Sequence, residues 1–200
     1  VVNYADAARA LAVSQPTARD YFEIAHGTFL WRRVPAFSMN VMKRVVKHAR
    51  GYLRDSGLLH QLLGIRSERE LLTHPKCGAS WEGYVIEELL KILQPDEAAF
   101  WATHQGAELD LFLIKDGRRL GIEIKRMDAP TLTPSMRIAH HDLRLEHLVV
   151  LYPGTARYDL SDWASVMPLA ILAEKNGKSL TYEEIRERSS DKNTLFLSRP

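Results

Sequence analysis

The chain has 200 residues, 46% hydrophobic and 26% charged, which is the composition of an ordinary globular chain long enough for one large or two small domains. Its formal net charge of +2 is too small to imply a nucleic-acid partner by itself, so only the distribution of charge carries information. A single cysteine, Cys77, excludes an intramolecular disulfide and a cysteine-based zinc cluster and suits a reducing compartment. No apolar run approaches the ~18 residues that span a bilayer, and the start has no charged segment leading into an apolar one. The expectation is a soluble, cytoplasmic chain with no membrane partner. Because it begins Val-Val and enters helix-like sequence at once, it reads as part of a longer polypeptide.

Asn3 caps a predicted helix over Tyr4 to Ala12, and Ser14 caps a second with Pro16 in its first turn. ALAVSQPTARDYFEIA is therefore helix, tight turn, helix, an arrangement that resembles a helix-turn-helix. TFLWRRV, Thr28 to Val34, is rich in strand formers and ends at Pro35, so it predicts the first strand of a wing. Asp20 and Glu23 beside Arg19 oppose a phosphate-hugging second helix, and the element is open to either DNA or protein contact. From Arg32 to Arg54 the cations Arg32, Arg33, Lys43, Arg44, Lys47, Arg50 and Arg54 occur with no acid among them. Such a block is a solvated face or a surface that tracks a phosphate backbone; the nucleic-acid candidates are Arg32, Arg33, Lys43, Arg44, Lys47 and Arg50.

Asp55 opens a short helix that Gly64 stops, and Ser67 with Glu70 forms a capping box for the next. Gly78 to Leu93 is the most periodic stretch, with Trp81, Val85, Leu89 and Leu93 at i+4 spacing, widened by Ile86 and Leu90. Glu87 and Glu88 are read as solvated charges on this helix. Ala98 to His104 predicts a strand leading into a hairpin, Glu108 to Arg126, turned at Asp116-Gly117. Pairing Lys115 with Arg118 and counting back places Asp110 opposite Glu123. Leu109, Leu111 and Leu113 then share the other face with Leu120, Ile122 and Ile124.

Two opposed carboxylates repel, and a cation between them reverses the sign. Oxygen ligands with room for water suit magnesium or manganese, and Lys125, two residues from Glu123, can reach an anion held there. Downstream, Thr133-Pro134 starts a helix through Leu145, followed by a buried strand His147 to Tyr152 and a last strand-like element within Trp163 to Leu172. The histidines His104, His140, His141 and His147 are read as surface or internally satisfied groups. Thr181 and Glu184 cap a charged C-terminal helix, with a flexible end beyond it.

Asp110 followed by Glu123-Ile124-Lys125 resembles the core motif of the PD-(D/E)XK nuclease-like superfamily. ARGYLRDSGLLHQLLG, WEGYVIEEL, AELDLFL, GIEIK and VVLYPG are similar to the C-terminal region of a prokaryotic AAA+ ATPase family, in which a winged helix and a nuclease-like domain follow the ATPase. The resemblance implies an α/β (α+β mixed) chain: a winged-helix-like domain over 1–48, a restriction-endonuclease-like core with a mixed sheet flanked by helices over 49–175, and a charged extension over 176–200. It implies a metal site of Asp110, Glu123 and Glu82, the last at the family's (W/F)E position, with Lys125 beside them as a catalytic residue. Magnesium or manganese is the implied cofactor, DNA the implied substrate, and an upstream AAA+ ATPase domain, absent from this chain, the implied partner. The alternative is a catalytically silent DNA- or protein-binding regulatory module attached to an ATPase.

Overall fold

The computed structural model describes residues 2–38, 49–173 and 180–190, which pack as two units, Val1–Tyr84 and Val85–Pro200. In the first unit, helices α1 (Tyr4–Leu11) and α2 (Gln15–Gly27) are separated by a three-residue turn. Asn3 Oδ1 accepts the Ala5 and Asp6 N–H groups, and Ser14 Oγ accepts that of Thr17, so both N-termini are closed by the expected residues. Strand β1 (Trp31–Val34) pairs antiparallel with β2 (Arg50–Leu53), which brings β2 into the same unit as the helices despite the expected domain division near residue 48. The first strand starts three residues later than predicted. The Thr28 and Leu30 N–H groups bond back to Ile24 and Ala25, and Phe29 takes a left-handed φ of 62°, so residues 28–30 finish α2 instead. Asp55 and Ser67 cap α3 (Ser56–Leu62) and α4 (Glu68–Thr73) as expected.

Helix α5 (Cys77–Leu93) carries the chain from one unit into the other. Val85, Ile86, Leu89 and Leu93 are buried, confirming the predicted stripe. Glu87, expected in solvent, is 2% exposed, because packing encloses α5 more widely than its apolar stripe marks. The sheet of the second unit has six strands: β3 (Glu97–Ala102), β4 (Glu108–Lys115), β5 (Arg118–Ile124), β6 (His147–Tyr152), β7 (Tyr158–Ser161) and β8 (Ala164–Pro168). They lie in the order β3-β4-β5-β6-β8-β7.

The first three form an antiparallel meander, as predicted. Helix α6 (Pro134–Leu143) then returns the chain so that β6 runs parallel to β5, and β8 parallel to β6. Thr103 turns back onto Ala107 through its N–H and side chain, which ends β3 at Ala102 rather than at His104. Arg144, at φ 52°, stops α6 two residues early. The predicted last element divides at Pro168 into β8 and a short helix α7 (Leu169–Ala173), and β7 was not anticipated.

The hairpin has the predicted register. Lys115 faces Arg118 and Leu111 faces Ile122, around Asp116 and Gly117 at φ 53° and 72°, the left-handed pair that a tight two-residue hairpin turn requires. Leu109, Leu111, Leu113, Leu120 and Ile122 are all fully buried. The C-terminal helix α8 (Tyr182–Ser190) buries Tyr182, Ile185 and Ser189, and Asp116 Oδ2 accepts the Tyr182 N–H at 2.9 Å. This part of the charged extension is thus packed into the second unit; the expected flexible end lies outside the described residues. Asp116→Ala loses both a side chain that tolerates the left-handed region and the cap on α8. It should lower unfolding free energy by about 1–2 kcal/mol in urea titration, whereas Asp116→Asn should cost less than half of that.

Candidate active site

β4 and β5 pair from Leu111↔Ile122 to the turn, and one step further along this register Asp110 faces Glu123. There the two strands part company: Glu108 and Leu109 pair with β3, while β5 continues against β6. Asp110 bridges the divergence with its side chain, Oδ2 accepting the Ile124 N–H at 2.9 Å. On the far side the Lys125 N–H donates to the Leu151 carbonyl at 2.9 Å, so β6 holds the end of β5 in place.

Glu123 is only 5% exposed. Its Oε1 lies 2.6 Å from Lys125 Nζ, while Oε2 is buried with no hydrogen-bond partner. Burial first, and then the charge of Asp110, push the Glu123 carboxyl up to about 7; the charge and hydrogen bond of Lys125 and the Asp110 backbone pull the other way. The site therefore contains a carboxylate that the fold neither solvates nor fully pairs. The Lys125 side chain is 35% exposed.

These atoms fit a hard divalent ion. Two opposed carboxylates, one with an orphaned oxygen, are the usual protein share of a magnesium site, the remaining positions going to water and substrate oxygens. Among the described residues no three His, Cys, Asp or Glu side chains gather into a metal-binding group. Glu82, on α5, has partners within the first unit: the Tyr52 hydroxyl donates to its Oε1 at 2.5 Å, and Arg50 Nη1 is 3.4 Å from the same atom.

The basic block is less uniform than its sequence. Arg33 bonds Glu23, Arg50 is held on Glu82, and Arg54 lies 5.3 Å over the Phe29 ring. Arg32 is half-buried on β1 opposite Tyr52; Lys43, Arg44 and Lys47 lie outside the described residues. Of the histidines, His147 is buried with Nε2 at 2.8 Å from Ser165 Oγ; burial and then the charge of Arg186 hold it down at about 4, so it is neutral. His140 stacks on Trp163 with 4.0 Å between ring centres. Sequence reasoning passed over Arg126, directly after the E-x-K triplet; its only sequence signal is that adjacency.

Residues 77–172 match the family described as Domain of unknown function (DUF4143), and residues 1–69 match Domain of unknown function (DUF8612). Glu82, Asp110, Glu123 and Lys125 all fall inside the stretch that matches DUF4143. Uncharacterized proteins of Mycobacterium tuberculosis and Mycobacterium bovis are each 43% identical to it over 164 residues, 82% of this chain and 37% of each relative. The chain spans little more than a third of the length of those relatives. No solved structure matches it. No helix among the described residues is long and apolar enough to cross a membrane.

The raised Glu123 carboxyl makes stability pH-dependent. Above pH 4.5 an unfolded glutamate has lost its proton while the folded one keeps it until about 7, so stability is fully present at low pH and declines across that window. The decline amounts to roughly 3 kcal/mol in the absence of metal. Glu123→Gln should remove it: in EDTA, the stability of the variant relative to the parent should rise by about 2–3 kcal/mol between pH 4.5 and 8, measured by urea unfolding.

Proposed function

We propose that the Asp110–Glu123–Lys125 cluster hydrolyses phosphodiester bonds in DNA with magnesium or manganese, in a PD-(D/E)XK nuclease-like domain to which the first unit adds a winged helix. The observation that carries this reading is the buried Glu123 carboxylate, opposed by Asp110, with one oxygen unpartnered and Lys125 at 2.6 Å. Nothing in packing rewards that arrangement, and a divalent ion would turn its repulsion into attraction. The ion, when bound, supplies Lewis-acid stabilisation of charge on the phosphate.

Asp110 and Glu123 would hold it, Asp110 oriented by the Ile124 N–H and Glu123 by Lys125. Lys125, hydrogen-bonded to Glu123 and partly open to solvent, would orient the attacking water, help remove its proton and meet charge on the phosphate. Glu82, which the resemblance offers as a further carboxylate, is engaged by Tyr52 and Arg50 within the first unit. An AAA+ ATPase domain as partner belongs to the same reading, and relatives of which this chain spans 37% have room for one.

The rival reading, a silent DNA- or protein-binding module, is favoured by the engagement of Glu82 within the first unit. Cleavage of plasmid and single-stranded DNA with manganese separates the two. On the nuclease reading Lys125→Ala still unfolds cooperatively, less stable than the parent at pH 8 because Glu123 loses its cation, and loses cleavage by at least about a hundredfold. Millimolar manganese should raise the melting temperature of the parent more at pH 8 than at pH 6, since the Glu123 proton must leave, and should not raise that of Asp110→Asn. Equal shifts in parent and variant would remove the metal site. A parent that binds DNA without cutting it would select the silent module. If the basic block contacts phosphate, replacing Lys43, Arg44 and Lys47 with alanine should reduce the salt slope of duplex binding by roughly two to three.

A further inference from the structure

Arg126 is the first residue beyond the β5–β6 ladder, whose last bond is from the Lys125 N–H to Leu151. It is exposed, and among the described residues no hydrogen bond, ion pair or ring contact holds its side chain. Asp128, two residues on and also exposed, makes no ion pair with it there. Arg33 and Arg50, which the sequence nominated for phosphate contact, both have carboxylate partners. Consecutive Cα atoms are about 3.8 Å apart, so Arg126 and Lys125 start from neighbouring points on the same strand end.

The loop that carries Arg126 is also restrained. Residues 126–129 are exposed, but Pro130 is buried, and its carbonyl accepts the Tyr158 hydroxyl at 2.9 Å. Tyr158 in turn meets the Tyr152 ring edge-on at 6.5 Å, and the Tyr152 hydroxyl accepts the Ala156 N–H and donates to the Ala156 carbonyl. The segments that follow β5 and β6 are thereby tied together at the carboxyl ends of two parallel strands, the edge at which open α/β sheets receive ligands. A cation with no partner among the described residues, on a tethered loop beside a lysine assigned to phosphate chemistry, is available to an anion.

Resting on the phosphodiesterase reading, we propose that Arg126 binds a backbone phosphate of the nucleic-acid strand next to the one being cleaved, and that Tyr158 is a positioning residue that holds its loop. The guanidinium donates two N–H groups to phosphate oxygens, a contact that lysine makes only as a point charge.

The test uses the whole chain with a fluorescent duplex and a single-stranded oligonucleotide of the same sequence, read as binding against salt in EDTA and as cleavage with manganese. Arg126→Ala should lower the slope of log K against log salt by about one, and its loss of cleavage should fall on KM, on the order of tenfold. The manganese melting shift should stay as in the parent. Arg126→Lys should restore the slope and recover KM in part. Tyr158→Phe should raise KM with the salt slope unchanged.

Parent values of both slope and KM in Arg126→Ala, with cleavage still abolished by Lys125→Ala, would overturn the Arg126 assignment and leave the phosphodiesterase reading standing. A lowered melting temperature of Arg126→Ala without metal would reduce the residue to a structural one. A parent that neither binds nor cuts either strand would overturn the phosphodiesterase reading, and this assignment with it.

Discussion

The structure turns on a buried carboxylate that the surrounding protein does not satisfy. Glu123 is enclosed on β5, faces Asp110, and has one cation on one of its two oxygens. Burial of an ion costs several kcal/mol unless a close partner and further hydrogen bonds offset it, and here only part of that offset is present. The remaining cost is tolerable because Glu123 keeps its proton to about pH 7, so near neutrality the group stands between two charge states. A bound cation, a proton and Lys125 are thus three competing ways of neutralising the same few atoms.

Holding those atoms together requires most of the second unit. The left-handed pair Asp116-Gly117 sets the hairpin register, and a slip of one residue would carry Asp110 or Glu123 to the opposite face. The turn itself is fixed by α8, whose first N–H rests on Asp116. At the other end, β6 anchors β5 through Leu151, and α6 delivers β6 in parallel register. Where β4 leaves β5 to follow β3, an ordinary ladder bond is replaced by Asp110 on the Ile124 N–H. The carboxylate pair sits one step beyond the last β4–β5 pair, Leu111 and Ile122.

The hairpin was legible because three independent local signals agreed: a turn dipeptide, alternation of apolar residues, and a register that follows by counting. Helix α5 and β6 were legible for the same reason, each having an unambiguous period or a continuous apolar run. What local sequence did not reveal was decided by neighbours. Phe29 is a poor residue for the left-handed region, so nothing in Thr28 to Leu30 marks it as the close of a helix. The short edge strand β7 has no apolar run of its own and exists by pairing with β8. Burial of Glu87 and the pairing of Arg33 with Glu23 across ten residues depend on tertiary packing, which a charge run does not encode. Asp110, Glu123 and Lys125 could be named from register alone, but the orphaned oxygen and the raised carboxyl needed the enclosing sheet.

The two units also differ in how much of their apolar content the fold covers. Among the described residues, the second unit buries Phe112 and many leucines, isoleucines and valines completely. The first buries Val2, Ala8, Ala18, Val34 and Cys77, while Ile24 and Phe29 remain 62% and 73% exposed. Small side chains bring little apolar area out of water, at ~25 cal/mol per Å², so caps, the Tyr4–Phe22–Trp31 ring contacts and the Arg50–Glu82 pair bear more of the load there. Arg33, Arg50 and Glu82, which the sequence assigned to ligands, are engaged in this unit's own cohesion. A charged residue that holds together the described part of the first unit is in that measure withdrawn from ligands, whereas the second unit's hydrophobic core leaves its charged residues less needed for cohesion.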